Sequence, residues 1–219
     1  MIPVEEFINA LDAYVDEDMQ RDIVRRIIGG YRYWDKFRKD SELAPDPVKN
    51  IDSVGRSAAI DTMLLGLTGK YAGFEITSKL NSTHNYYYTL IRSPYVVMTI
   101  SHVNYPRAVP REAKFRSEYA TVQTRFIERN DSFEIVPPES CGRVLYAIIS
   151  HGTVDKSDQY IPGFIYLGFP SQDCKSYIST ISLYDKYKDT VQEILQQGTE
   201  YIRDMAQPGL IIERYRQET

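Results

Sequence analysis

The first seventy residues carry a helical pattern of apolar positions. In the first helix these positions recur at spacings of three and four residues and share one face: Val4, Phe7, Ile8, Leu11 and Val15. A second helical pattern begins near Asp18 and weakens at the consecutive glycines 29–30. We expect a loop over 41–50, where two prolines occur, and a third helix from about residue 52 to Gly69.

From residue 71 the period changes to that of a sheet. Short runs rich in Tyr, Val, Ile and Thr lie between turn signals, which is typical of antiparallel strands. We expect strands near 71–77, 86–92, 95–102, 119–127, 143–150, 163–169 and 178–183. A last amphipathic helix is predicted over 187–206, before a Pro-Gly pair that ends it.

Together these elements predict a single α+β domain over residues 1–219. It has N-terminal helices (1–70), a central, mostly antiparallel sheet of about six or seven strands (71–186), and a C-terminal helix and tail (187–219). We expect the long C-terminal helix to pack on the sheet.

Composition narrows the class of protein without naming a function. The chain has 219 residues, a net charge of −4, two cysteines and 18 tyrosines, so it is tyrosine-rich but neither disulfide-rich nor strongly basic. It lacks an apolar run long enough to span a membrane, and its acidic N-terminus does not resemble a secretory signal. We therefore expect a cytoplasmic protein with no membrane contact, no bound metal and no cofactor. The pattern carries no information on oligomeric state.

Two histidines end similar apolar strands. The segments YVVMTISH and RVLYAIISH close on His102 and His151, where a strand gives way to a loop. If the strands are neighbours, the imidazoles could serve as acid and base in metal-independent phosphodiester or nucleic-acid cleavage. His151-Gly152-Thr153 resembles the His-x-Thr element of the two-histidine phosphoesterases, which implies that the Thr153 hydroxyl holds a phosphate oxygen. His102 is followed by Val103 and Asn104 and lacks the matching hydroxyl. The alternative to a catalytic role is that each histidine only packs at the end of its strand.

A metal-dependent nuclease is a second enzymatic hypothesis. Asp61, Glu75 and Lys79 have the side chains that such a site needs, but the tight acid-x-Lys spacing of the common restriction-nuclease fold is missing, because Ile76 and Thr77 follow Glu75.

Residues 21–39 combine cations with aromatic rings. This basic–aromatic segment contains seven bases, and we expect its binding residues to be Arg25, Arg26, Arg32, Tyr33, Trp34, Lys36, Arg38 and Lys39. A second basic cluster lies in the predicted loop before the fourth strand and consists of Arg107, Arg111, Lys114 and Arg116. Such residues neutralise phosphates or acidic surfaces, while the rings stack on bases.

The charge of this segment has a competing explanation within the molecule. Residues 5–18 hold six acids and no base, so antiparallel helices would bring opposite charges together. Because the sequence lacks a complete catalytic motif, it favours a non-enzymatic regulatory or interaction protein. The expected partner is an acidic protein surface or a nucleic acid, and the histidine-pair phosphodiesterase is the alternative.

Overall fold

The computed structural model describes residues 4–197, except 42–44, 85, 124–125, 130–131, 136–137, 139–141 and 155–159. The helices with described bounds are α1 (Val4–Tyr14), α2 (Glu17–Asp40), α3 (Pro45–Leu65), α4 (Lys114–Thr121), α5 (Leu183–Lys186) and α6 (Lys188–Gln196). The strands are β1 (Glu75–Leu80), β2 (Tyr87–Arg92), β3 (Val96–His102), β4 (Phe126–Arg129), β5 (Ser132–Ile135), β6 (Leu145–Gly152), β7 (Phe164–Pro170) and β8 (Tyr177–Ser182).

The fold is α+β around a six-stranded mixed sheet. Its strand order is β1-β2-β3-β6-β7-β8, and β4 pairs only with β5 in a separate small hairpin. Every neighbouring pair in the large sheet is antiparallel except the central pair, β3 and β6, which run parallel. A parallel pair requires a long crossover, and here the crossover contains α4. This central parallel pair brings the ends of two separate strands to one edge of the sheet.

A large apolar core lies between the sheet and the N-terminal helices. One face of α2 buries Met19, Ile23, Ile27 and Tyr31 against the apolar side chains of β3, β6 and β7. A smaller core lies on the opposite face of the sheet and includes residues of α4. With both faces covered, β3 and β6 are buried over most of their length, which explains their nearly continuous apolar runs.

Most predicted strands are confirmed, although β1 begins at Glu75 and not at residue 71, and β5 was not predicted. Two further elements differ from expectation. The strand predicted over 119–127 is wrong, because helix α4 extends to Thr121 and packs Phe115 and Ala120 into the smaller core. The loop predicted over 41–50 is also wrong in its second half, since α3 already begins at Pro45. Proline is tolerated in a first helical turn, where its missing N–H leaves no hydrogen bond unmade.

The glycines at 29–30 do not interrupt α2. At Gly30 a Cβ atom would lie only 2.7 Å from the Cα of Ile60, so the missing side chain allows α2 and α3 to approach closely. At the C-terminus, α6 ends at Gln196, and the rest of the predicted helix 187–206 beyond residue 197 lies outside the described residues. No helix in the described part of the chain is long and apolar enough to cross a lipid bilayer.

Candidate active site

The two histidines lie side by side at the end of the central parallel strands. His102 of β3 is the register partner of His151 of β6, and Ser101 is the partner of Ser150. Their imidazole ring centroids are 5.6 Å apart, with the rings inclined at 64°. The two Ile-Ser-His endings are therefore in register. The structure brings both imidazoles together on the face of the sheet that α2 and α3 cover.

His151 is fixed by a polar chain that begins on the helices. The Tyr31 hydroxyl lies 3.0 Å from Nδ1 of His151, and both residues are buried. Arg56 of α3 lies over the Tyr31 ring, 5.1 Å from its centroid, and its charge opposes the effect of burial on the pKa of Tyr31. A phenol O–H can donate to an unprotonated imidazole nitrogen. When the Tyr31 O–H donates to Nδ1, the proton of a neutral His151 lies on Nε2.

Both imidazoles have pKa values below that of a free histidine. Burial, together with the neighbouring His102 and Arg56, lowers the pKa of His151 to about 3. The pKa of His102 is also lowered, first by burial and then by Arg56, although His102 keeps part of its surface exposed. At neutral pH the pair is uncharged.

A small pocket opens beside the pair. Its wall is formed by Ser57, Ile60, Asp61, Tyr86, Ile100, Ser101, His102 and His151, and its interior of about 10 Å³ has room for about one water molecule. This volume is far below the roughly 300–1,000 Å³ of pockets that enclose a whole ligand. The pocket therefore holds a water-sized group, and a larger molecule would bind at its mouth.

Helix α3 supplies an acid to this pocket. Ser57 and Asp61 are one turn apart on α3 and therefore project from the same side of the helix. The Thr89 hydroxyl of β2 donates to Oδ1 of Asp61 at 2.6 Å. Burial raises the pKa of Asp61 to about 6, against the lowering effect of the Thr89 hydrogen bonds. The pocket thus combines a carboxyl group of raised pKa with an imidazole of lowered pKa.

Residues on the other sheet face hold the ends of the same strands. Ser101 accepts a hydrogen bond from the guanidinium of Arg116, which also donates to the backbone oxygen of Arg111 at 2.7 Å. The Ser150 and Tyr177 hydroxyls are 2.8 Å apart. Arg116 is only 8% exposed, so this predicted binding residue lies inside the protein and ties the loop 103–113 to β3.

The other predicted residues near the histidines are more exposed. Arg107, Arg111 and Lys114 are at the surface, on or directly after the loop that follows His102. Arg107 lies over the ring of Tyr166, 5.8 Å from its centroid. Thr153 is partly exposed one residue after β6 and is not part of the pocket wall.

In the basic–aromatic segment most arginines bind groups of the same molecule. Of its seven bases only Lys36 and Lys39 are largely exposed, and the five arginines are partly exposed. Arg25 lies 3.1 Å from Asp22 and 3.7 Å from Glu193 of α6. Arg32 donates to the backbone oxygens of Ile194 and Gln197.

The end of α2 makes similar contacts. Arg38 lies 3.6 Å from Asp35 and 3.7 Å from Asp52, while Lys39 lies 2.7 Å from Asp35. Trp34 donates from Nε1 to Asp52 at 2.8 Å, and Tyr33 is partly exposed.

Contacts with the acidic run 5–18 are a smaller part of this pattern. Arg21 lies 3.0 Å from Glu17 of that run and 2.8 Å from Asp189 of α6. The other ion pairs described for the segment join it to acids of α2, α3 and α6. The bases therefore connect these helices more than they face the acidic N-terminus.

Sequence reasoning missed most of the groups that surround the histidines. Tyr31 occupies a position on the apolar face of α2, so the pattern gave no sign that its hydroxyl makes a polar contact. Arg56 precedes Ile60 by four residues and therefore shares the buried face of α3 with it. A cation on an apolar helix face is unusual, and this signal could have identified Arg56 as a functional residue. The sequence suggested Asp61 only as a metal ligand, together with Glu75 and Lys79, which are exposed on β1.

Comparison with known proteins does not assign this chain to a family. No protein-family model matches the chain, and no curated protein or solved structure is significantly similar to it. Among the described residues no group of three or more His, Cys, Asp or Glu side chains is arranged to hold a metal ion.

Proposed function

We propose that this protein is a metal-independent phosphodiesterase or nuclease whose reaction centre is the pair His102 and His151. The supporting observation is the register of the central parallel strands, which sets the two imidazoles 5.6 Å apart beside a solvent-open pocket. Two imidazole rings at the ends of paired strands, one buried and one partly exposed, with a polar contact that orients the buried ring, are more than apolar packing requires.

The two imidazoles would have different roles. His102 is partly exposed and uncharged at neutral pH, so it is the group suited to accept a proton from the attacking water or hydroxyl. His151 is buried and oriented through Tyr31, so its Nε2–H is suited to donate a hydrogen bond to a phosphoryl oxygen. Arg56 lies over the Tyr31 ring, so its positive charge favours a Tyr31 hydroxyl that donates to His151.

The substrate would be larger than the pocket. The pocket has room for about one water molecule, so the phosphodiester would lie at its mouth and across the surface around the loop 103–113. The exposed Arg107, Arg111 and Lys114 offer cations for further phosphates. Tyr105, which is 70% exposed in the same loop, offers a ring on which a base can stack.

A non-enzymatic interaction protein is the second candidate. The feature in its favour is the same exposed group of Arg107, Arg111 and Lys114. The basic–aromatic segment 21–39 gives it less support, because its arginines bind acids and carbonyl oxygens of α2, α3 and α6. An acidic protein surface or a nucleic acid remains the partner that this hypothesis proposes.

A paired assay separates the two functions. Wild type, His102→Ala and His151→Ala would be incubated with labelled single-stranded RNA, DNA and cyclic dinucleotides in the presence of a chelator. Retention and cleavage would be scored separately. Cleavage by the wild type that both variants lose supports the phosphodiesterase, whereas equal retention by all three proteins without cleavage supports the interaction protein.

A further inference from the structure

We propose that Asp61 is a further catalytic residue of this pocket and protonates the leaving group of the phosphodiester. This inference rests on the proposed function and assigns the acid that the histidine pair lacks. His151 is poorly suited to that task, since it is buried, only 2% exposed, and engaged at Nδ1 by Tyr31. Asp61 faces the same pocket as His102 but comes from a different layer of the fold.

The carboxyl group is held in place from the sheet. The Thr89 hydroxyl, which is buried in β2, donates to Oδ1 of Asp61 at 2.6 Å. One wall of the pocket is thus formed by α3 with Asp61, and another by β3 and β6 with the histidines. A phosphodiester bound at the mouth of this pocket would meet a base from one wall and an acid from the other, the two groups that assist displacement at phosphorus.

The surroundings of Asp61 favour its protonated form up to about pH 6. Burial is the main effect on its pKa, which rises to about 6. Tyr86 lines the same pocket, and its pKa is raised first by burial and then by the Asp61 carboxylate. Arg56 lies over the Tyr31 ring, and Arg116 donates to Ser101.

A purely structural role explains these contacts less well. A brace between α3 and β2 needs only an acceptor for Thr89, which an exposed residue at the helix surface could supply. Asp61 instead shares the wall of a solvent-open pocket with His102. Acids and bases whose environments move their pKa values in opposite directions are typical of acid–base sites.

The proposed step conserves protons. His102 removes a proton from the attacking water or hydroxyl while its oxygen forms a bond to phosphorus. The bond from phosphorus to the leaving oxygen breaks, and Asp61 gives that oxygen its proton. The step ends with His102 protonated and Asp61 ionised, and solvent exchange through the open pocket restores both groups.

The test compares leaving groups. A p-nitrophenyl phosphodiester releases a stable phenolate and needs little protonation, whereas an alkyl or nucleoside diester releases a basic alkoxide and needs an acid. We expect Asp61→Asn to lower kcat about 100-fold or more on the alkyl or nucleoside diester, within the range typical of a lost general acid. On the p-nitrophenyl diester the variant should stay within about threefold of wild type, since most of the general-acid contribution is not needed there.

The controls distinguish failure of this inference from failure of the proposed function. His102→Ala should lose activity on both substrates, and Asp61→Glu should recover part of the loss on the alkyl diester. An Asp61→Asn variant that loses activity equally on both esters, or on neither, would overturn the role of Asp61 while leaving the histidine pair intact. A wild type inactive on both esters would overturn the proposed function and the role of Asp61 with it.

Discussion

The hydroxyl of Tyr31 lies 3.0 Å from Nδ1 of His151, although the two residues are 120 positions apart in the chain. This contact joins helix α2 to the central strand of the sheet. It places a polar bond inside an otherwise apolar core, where unmade hydrogen bonds are costly. The same bond determines which nitrogen of His151 faces the pocket.

Removal of this hydroxyl should affect both the stability of the protein and the tautomer of His151. Tyr31→Phe leaves a buried imidazole nitrogen without its partner, so we expect the free energy of unfolding to fall by about 1–3 kcal/mol. Urea denaturation measures this loss, and the ¹⁵N chemical shifts of His151 report the tautomer. Tyr33→Phe, at a partly exposed position of the same helix, is the control and should change neither quantity. Unchanged tautomer signals in Tyr31→Phe would contradict the polar chain.

The pH dependence of stability contains two opposed contributions. The pKa of His151, about 3, is below that of an unfolded histidine, so its contribution is present above about pH 6.5 and is lost as pH falls. The pKa of Asp61, about 6, is above that of an unfolded aspartate, so its contribution is present at low pH and is lost as pH rises through 6. The two partly cancel between about pH 4 and 6.

Asp61→Asn should therefore make acid denaturation steeper. Between about pH 6 and 4 the stability of the variant should fall faster than that of wild type by up to about 1.4 kcal/mol per pH unit. Urea melts at several pH values measure the slope. Asp189→Asn is a control of opposite sign, because the pKa of Asp189 is lowered by its hydrogen bond with Arg21. Parallel curves for Asp61→Asn and wild type would mean that the Asp61 carboxyl is not perturbed.

A methyl group at position 30 should separate the helices that carry Tyr31 and Asp61. The added Cβ would lie 2.7 Å from the Cα and 2.8 Å from the backbone nitrogen of Ile60, and backbone atoms cannot move aside cheaply. We expect Gly30→Ala to lower stability by about 1–3 kcal/mol. Helix propensity alone predicts a gain of about 1 kcal/mol, so the sign of the change in the unfolding free energy decides between the two effects.

The exposed cations of the loop 103–113 should act in substrate capture. We expect Arg107→Ala/Arg111→Ala to raise KM for an oligonucleotide several-fold with little change in kcat, and to weaken the dependence of binding on salt. Lys36→Ala/Lys39→Ala removes two exposed cations from α2 and is the matched control. A larger effect of Lys36→Ala/Lys39→Ala on KM would indicate that the binding surface lies on the basic–aromatic segment.

Periodicity predicted much of the fold because most elements bury one regular face. The spacing of Met19, Ile23, Ile27 and Tyr31 reflects a real helix face, and the apolar run ending at His102 reflects a buried strand. The strand predicted at 119–127 failed because the Thr- and Val-containing stretch there resembles a strand, while the packing of Phe115 selects a helix. Local pattern could not reveal that long-range contact.

The site was predictable only in part for the same reason. The matching Ile-Ser-His endings suggested that His102 and His151 are close, but the parallel pairing of β3 and β6 depends on a crossover of more than forty residues. Tyr31, Arg56 and Asp61 come from two helices that reach the pocket through tertiary packing. Their separations in the chain carry no periodic signal.

The most direct test of the proposed function is chelator-resistant cleavage by wild type and His102→Ala. Both proteins would be assayed with an RNA oligonucleotide and a bis(p-nitrophenyl) diester at pH 5–7 in excess EDTA, after circular dichroism has shown that the variant is folded. The account predicts cleavage by the wild type and a loss of about 100-fold or more in the variant. Equal cleavage by both proteins, or none by the wild type, would contradict a reaction centre at the histidine pair.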